Sequence, residues 1–203
     1  MDEERAWIRR AMAGDREAFA HLVEAYQTPV YNLAYRMLGD PAEAEDAAQE
    51  TFLRAYTRLN TYRPERKFSS WLLAIASHYC IDRLRRRRLQ WPSLDEVTPC
   101  LASGDDQPEE AAIKQERRDE VQALLDELPA PYRATVILRY WYDLSYREIA
   151  EAMGITEGAV KSRLHRARRM LAQQLMASPS EESALGAPRG AACCALGEGG
   201  EGR

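Results

Sequence analysis

No run of apolar residues in this chain is long enough to cross a bilayer as a helix, and its opening, MDEERAWIRR, lacks the apolar stretch of a signal peptide. The expectation is a cytoplasmic protein without membrane insertion. Cysteine is sparse as well: Cys80, Cys100, Cys193 and Cys194 have no zinc-ligand spacing, and in a cytosolic chain they are not expected to serve as disulfide staples. Segments that alternate β-branched and polar residues are scarce, which argues against a sheet. Net charge is small, −4 over 203 residues, and by itself argues against a nucleic-acid partner. The sum conceals the distribution, because DRLRRRR places arginines at 83, 85, 86, 87 and 88 while residues 89 to 110 hold six acids and neither Lys nor Arg.

What is present is helical periodicity. It recurs over 3–13, 16–38, 41–60, 69–89, 110–128, 131–142, 145–153 and 156–176, which predicts an all-α protein. Pro29 is predicted to divide the second stretch into two helices, since proline is tolerated in a first turn but not in a helix interior. Asp40, Pro41 and Glu43 supply an N-cap, a preset first residue and a capping-box partner for the third. Three prolines and several acids without periodicity mark QWPSLDEVTPCLASGDDQPEE as a linker, and the Gly-, Ala-, Ser- and Pro-rich stretch after Met176 reads as a disordered tail. The resulting organisation is two small helical domains, 1–89 and 113–176, joined by a flexible acidic linker, 90–112, with 177–203 as the tail.

In LSYREIAEAMGITEGAVKSRLHRARRML, Ser145 and Glu148 form a capping box, Ile149, Ala150 and Met153 an apolar face, and Gly154 the left-handed residue that stops a helix. Thr156 caps the next helix, whose inward stripe is Val160, Leu164, Ala167, Leu171 and Leu175. Lys161, Arg163, His165, Arg166, Arg168 and Arg169 fall on the remaining surface. This is a helix-turn-helix with a basic outer face, a device that offers its first turns to base edges and its flanking charges to phosphates.

In the N-terminal part, PAEAEDAAQETFLRAYTRL puts Ala44, Ala48, Phe52, Ala55, Tyr56 and Leu59 on one face and Asp46, Gln49, Glu50, Leu53, Arg54 and Thr57 on the other. The second face suits either solvent or a partner surface with a polar rim. Downstream, Tyr62, Phe68, Trp71 and Tyr79 are interleaved with Arg63, Arg66, Lys67 and the arginine run that includes Arg85 and Arg86. Rings that stack on bases beside cations that follow phosphates are what single-stranded DNA binding needs. Trp71, Leu72, Ile75 and Tyr79 also have the spacing of a core stripe, whereas Tyr62, in a loop after Leu59, is expected to stand outside the core.

DAAQETFLRAY, KFSSWLLAIA followed by IDRLRRRR, and LPAPYRATVILRYWYDLSYREIAEAMGITEGAVKSRLHRARRML together resemble a bacterial RNA polymerase sigma factor of the extracytoplasmic-function type, in order, over about residues 5 to 176. The resemblance implies that the basic helix reads the minus-35 promoter element in the major groove, through Thr156, Glu157, Gly158, Lys161, Ser162, Arg163 and Arg166. It implies that Asp46, Gln49, Glu50, Leu53 and Arg54 dock on core RNA polymerase. It further implies that Tyr62, Arg63, Lys67, His78, Arg85 and Arg86 meet the minus-10 element, with Tyr62 and His78 cooperating on one flipped base. Promoter DNA, core polymerase and an anti-sigma factor are the implied partners. The acidic linker would lie in a basic RNA channel as a mimic of the transcript.

A conventional dimeric helix-turn-helix regulator would explain 131–176 but leave the N-terminal domain without a role. Catalysis has less support, because His78, Cys80 and Asp82 lie about 200° apart in succession on a helix and share no face. No phosphate loop, nucleophile motif or further ligand cluster joins them, so neither an enzyme nor a cofactor or metal is expected.

Overall fold

The computed structural model describes residues 2–90 and 108–177. The core of the expected linker and nearly all of the tail therefore lie outside the described residues. Eight α-helices and one 3₁₀ turn make up the rest: α1 (Asp2–Met12), α2 (Arg16–Leu38), α3 (Pro41–Thr57), the turn Leu59–Thr61, α4 (Phe68–Gln90), α5 (Pro108–Asp126), α6 (Ala130–Tyr140), α7 (Tyr146–Met153) and α8 (Glu157–Ala177). The protein is all-α, and no helix among the described residues is long and apolar enough to cross a membrane.

Local chemistry sets the helix ends. The Asp15 carboxylate accepts from the backbone amides of Glu17 and Ala18, and that of Asp40 accepts from Glu43, so each helix start has orphan donors satisfied by its cap. Gly39 ends α2 at a φ of 77°, a left-handed conformation that costs a glycine little.

Pro29 does not divide α2, which runs unbroken from Arg16 to Leu38. The missing amide costs the helix one hydrogen bond. Against that, the buried stripe Leu22, Val30, Leu33 and Met37 continues across the proline, and α2 packs on α3 and α4.

Helices α1 to α4 form one bundle, and α5 to α8 a smaller one around Ile137, Leu138, Ile149, Val160 and Leu164. The two are not separate beads. Helices α2 and α4 pack directly on α5, α6 and α7, and one continuous apolar cluster runs from Ile8 to Ala167.

Candidate nucleic-acid and polymerase interfaces

The helix-turn-helix is built as the spacing predicts. Ser145 Oγ accepts from the Glu148 amide at 3.2 Å while a Glu148 carboxylate oxygen accepts from the Ser145 amide at 2.8 Å, completing the capping box. Gly154 takes a φ of 64°, and Thr156 Oγ1 accepts from the Ala159 amide at 3.2 Å to cap α8. Val160, Leu164 and Ala167 are buried, which turns Thr156, Glu157, Gly158, Lys161, Ser162 and Arg166 outward, with Arg163 half-buried. Lys161 lies 6.0 Å from the centre of the Tyr146 ring. Arg166 reaches the Tyr132 hydroxyl at 3.5 Å, so both cations are loosely held over α8's first turns. The inward stripe is shorter than expected: Leu171 is half-buried and Leu175 is 63% exposed, because the helix outruns the elements it packs against.

The loop before α4 borders a cleft of about 900 Å³ lined by Tyr62, Arg63, Lys67, Ser70, Trp71 and Ala74 on one side and by Arg147, Glu148 and Glu151 of α7 on the other. Tyr62 is not outside the core, as its loop position suggested. It is 6% exposed, meets Phe68 edge-on at 5.4 Å and Trp71 at 5.5 Å, and donates its hydroxyl hydrogen to the Arg66 carbonyl at 2.6 Å. A tyrosine ring closes this end of the bundle while its polar tip still finds an acceptor, so burial wins.

His78 is exposed, as expected, one turn beyond Ala74, yet it does not line the cleft that holds Tyr62. The structure does not bring the two together. Ser77, the residue before His78, is fully buried, since it completes the turn of Leu73, Ala76 and Cys80. Burial pushes the Cys80 thiol up to about 12, which leaves it inert. Arg85 and Arg86 are exposed on the last turns of α4, with Arg85 3.7 Å from Asp82. Trp71, read as core, is half-buried and presents itself to the cleft. Its helical spacing gave no sign of this, because a residue at the edge of a stripe has the same period as one at its centre.

On α3 the buried line is Ala44, Ala47, Thr51 and Ala55, flanked by the half-buried Ala48 and Phe52. Small residues let α2 approach closely, and the Thr51 hydroxyl is satisfied by the Ala47 carbonyl at 2.7 Å. Tyr56, expected inside, is 39% exposed with its ring edge against Phe19. The opposite face is presented as predicted: Asp46, Gln49 and Thr57 are exposed, and Leu53 stands 60% exposed among them. Arg54 pairs with Glu50 at 2.7 Å and lies 4.8 Å over the Tyr79 ring of α4, which fixes one edge of the patch.

Between the bundles, Lys67 Nζ sits 2.9 Å from Glu148, and Arg66 Nε sits 3.3 Å from Glu151. Partial burial alone raises the Glu148 carboxyl. The hydrogen bonds from Lys67 and Ser145 outweigh this and hold it at about 2, and the same bond raises Lys67. Nearer the core, Arg133 donates to the Met37 carbonyl at 2.7 Å and Gln122 to the Arg36 carbonyl at 3.3 Å, so α5 and α6 satisfy carbonyls at the end of α2. Tyr142 donates to the Pro29 carbonyl, and the Arg36 guanidinium lies 5.1 Å from the Trp141 ring centre.

Residues 22–90 match the family Sigma-70 region 2, and residues 118–171 match Sigma-70, region 4. The ECF RNA polymerase sigma factor SigW of Bacillus subtilis is 38% identical over 177 residues, a stretch covering 83% of this chain and 94% of that protein. The RNA polymerase sigma-H factor of Pseudomonas aeruginosa is 33% identical, covering 86% and 94%. Among solved structures, CnrH in complex with the cytosolic domain of CnrY is similar at a TM-score of 0.65 and 25% identity, covering 87% of this chain and 99% of that one. The sigma factor RpoE of Bartonella quintana, solved with the anti-sigma factor NepR, shares the fold at a TM-score of 0.60 and 20% identity, covering 80% and 98%.

Proposed function

The chain belongs to the sigma-70 family as a sigma factor of the extracytoplasmic-function type, directing promoter-specific transcription initiation with RNA polymerase, and from that premise we propose which surfaces do the work.

The observation that carries the proposal is the exposure of α8's first turns beside the tight Gly154 turn, with Lys161, Ser162 and Arg166 outward and Val160 and Leu164 inward. A helix so mounted enters a major groove with its N-terminal residues against base edges. Lys161, Arg163 and Arg166 divide between base and phosphate contacts, with Thr156, Glu157, Gly158 and Ser162 at the groove floor. The α3 face of Asp46, Gln49, Glu50, Leu53 and Arg54 docks on core polymerase, where an exposed leucine in a charged rim is the expected anchor. Arg63, Lys67, Arg85 and Arg86 track the phosphates of the minus-10 strand, and His78 reads one extruded base from the exposed face of α4. Trp71, which borders the cleft, takes the stacking role in place of the buried Tyr62. No catalytic step is assigned to this chain, whose work is binding.

The functional domains are taken as 1–89 and 113–176, with 90–112 as linker and 177–203 as tail, and the chain acts in the cytoplasm. Both solved structures hold a protein partner, and an anti-sigma factor is proposed for this chain on the same pattern. The test is run-off transcription with purified core polymerase on genomic fragments, followed by mapping of the start sites. A common minus-35 and minus-10 pair upstream of the starts supports the assignment. Starts identical to those of core polymerase alone would refute it.

A further inference from the structure

Two of the three cations of the loop before α4, Arg66 and Lys67, are already occupied. Lys67 is held by Glu148 at 2.9 Å and Arg66 by Glu151 at 3.3 Å, and both carboxylates come from α7, the first helix of the helix-turn-helix. Glu148 and Glu151 are three residues apart on a helix and therefore project from one face, across the cleft from Trp71 and Ala74. Two carboxylates in a row along a helix face present to a pair of cations what successive phosphates of a strand would present.

We propose that α7 is an intramolecular mimic of the minus-10 strand: in the free chain its carboxylates sit on the loop cations, so the loop cannot take DNA until the two bundles separate. This rests on the reading of the loop as a promoter-binding element.

Two exposed ion pairs alone would not hold the bundles together, since such pairs are individually weak. The interface has a second, less exposed part. Arg133 is 6% exposed and donates to the carbonyl of Met37, and Gln122 donates to that of Arg36, so the C-terminal carbonyls of α2 are satisfied by the other bundle. A helix C-terminus carries partial negative charge, which suits a guanidinium. Tyr142 reaches the carbonyl of Pro29, and the Trp141 ring lies against Arg36. This second part supplies the adhesion, and the ion pairs set the register that places α7 over the loop. The basic face of α8 is left outward by the same packing, so closure engages the loop cations Arg66 and Lys67 and spares the minus-35 helix.

The experiment is a distance measurement on the full chain without DNA or polymerase. Spin labels go on Glu45→Cys and Gln173→Cys, both exposed, with Cys100, Cys193 and Cys194 changed to serine and the buried Cys80 left in place. The parent should give one narrow distance. Tyr142→Ala should broaden and lengthen it, and Glu151→Gln should raise the long-distance fraction several-fold. The exchange Arg66→Glu with Glu151→Arg should restore the narrow distance, an outcome that loss of folding would not produce. A second arm titrates each chain with a single-stranded oligonucleotide carrying the non-template strand of a promoter mapped by run-off transcription. Tyr142→Ala and Glu151→Gln should bind it more tightly than the parent. A broad distance in the parent, or variants that open without gaining affinity for the oligonucleotide, would overturn the proposal. Because the distance arm uses no promoter, its outcome is independent of whether the minus-10 assignment is right.

Discussion

The Arg133 guanidinium, on α6, donates to the carbonyl of Met37 at the end of α2 across 2.7 Å, so a side chain of one bundle completes a helix of the other. The same group pairs with the Asp126 carboxylate at 2.6 Å and donates to the Asp126 carbonyl at 2.6 Å. No ammonium group reproduces that fork. Arg133→Lys should destabilise the chain by about 2 kcal/mol, the scale of lost charge-assisted hydrogen bonds. Urea unfolding followed by circular dichroism measures this, and an unchanged midpoint would remove Arg133 from the interface.

The capping box of α7 is local, and its worth is separable from packing. Ser145→Ala should cost about 1 kcal/mol and leave the fold intact. The same denaturation measurement checks it, with loss of minus-35 binding only as the domain melts.

Tyr62 is assigned to the bundle, which divides its variants. Tyr62→Phe removes a hydroxyl bonded to the Arg66 carbonyl and should cost about 1 kcal/mol. Tyr62→Ala should cost about 3 to 5 kcal/mol, as for other large aromatic deletions. Trp71→Ala should impair open-complex formation more than closed-complex binding, which permanganate footprinting of the start region reads. If Trp71→Ala left open-complex formation unchanged, Trp71 would have no stacking role.

The Lys67–Glu148 pair predicts a pH window. Glu148 is held at about 2 against an ordinary 4.5, so its contribution is complete above about 4.5 and is lost as pH falls through about 2. Lys67 is raised from 10.5, so its contribution is present below that value and is lost as pH rises through its folded value. Ser145, Asp143, Arg66 and Glu151 face the pair. The stability difference between the parent and Glu148→Gln should therefore be constant from about pH 5 to 10 and shrink in acid. Thermal unfolding across that range checks it, and a difference that grew as pH fell would contradict the pairing.

The features legible in the sequence are those fixed by neighbours along the chain. Asp40 with Glu43, Ser145 with Glu148, and the left-handed Gly154 each announce a helix end within a few residues, and Val160, Leu164 and Ala167 announce which side of α8 faces in. Position within a stripe was less legible: Tyr56 and Leu175 have the right period but lie at its edge or past its partner, while Ala47 and Thr51 hide in the core because they are small or carry a hydroxyl. Least legible is the contact between bundles. Met37 and Arg133 are 96 residues apart, and nothing local marks a carbonyl that a distant guanidinium will find. Tyr62 belongs here too, since Phe68 and Trp71 enclose it only once α4 has docked.

The central claim is that this chain reads promoters as part of polymerase, and the most direct measurement compares nuclease footprints on one mapped promoter. The chain alone, the chain with core polymerase, and Leu53→Glu with core polymerase are placed side by side. Leu53 is 60% exposed, so the charge should leave folding unchanged while disrupting docking. Both promoter elements should be protected by the parent with core polymerase, with little protection by the parent alone and marked loss for Leu53→Glu with core polymerase. Equal protection by the chain alone, or by Leu53→Glu and parent with core polymerase, would contradict that claim.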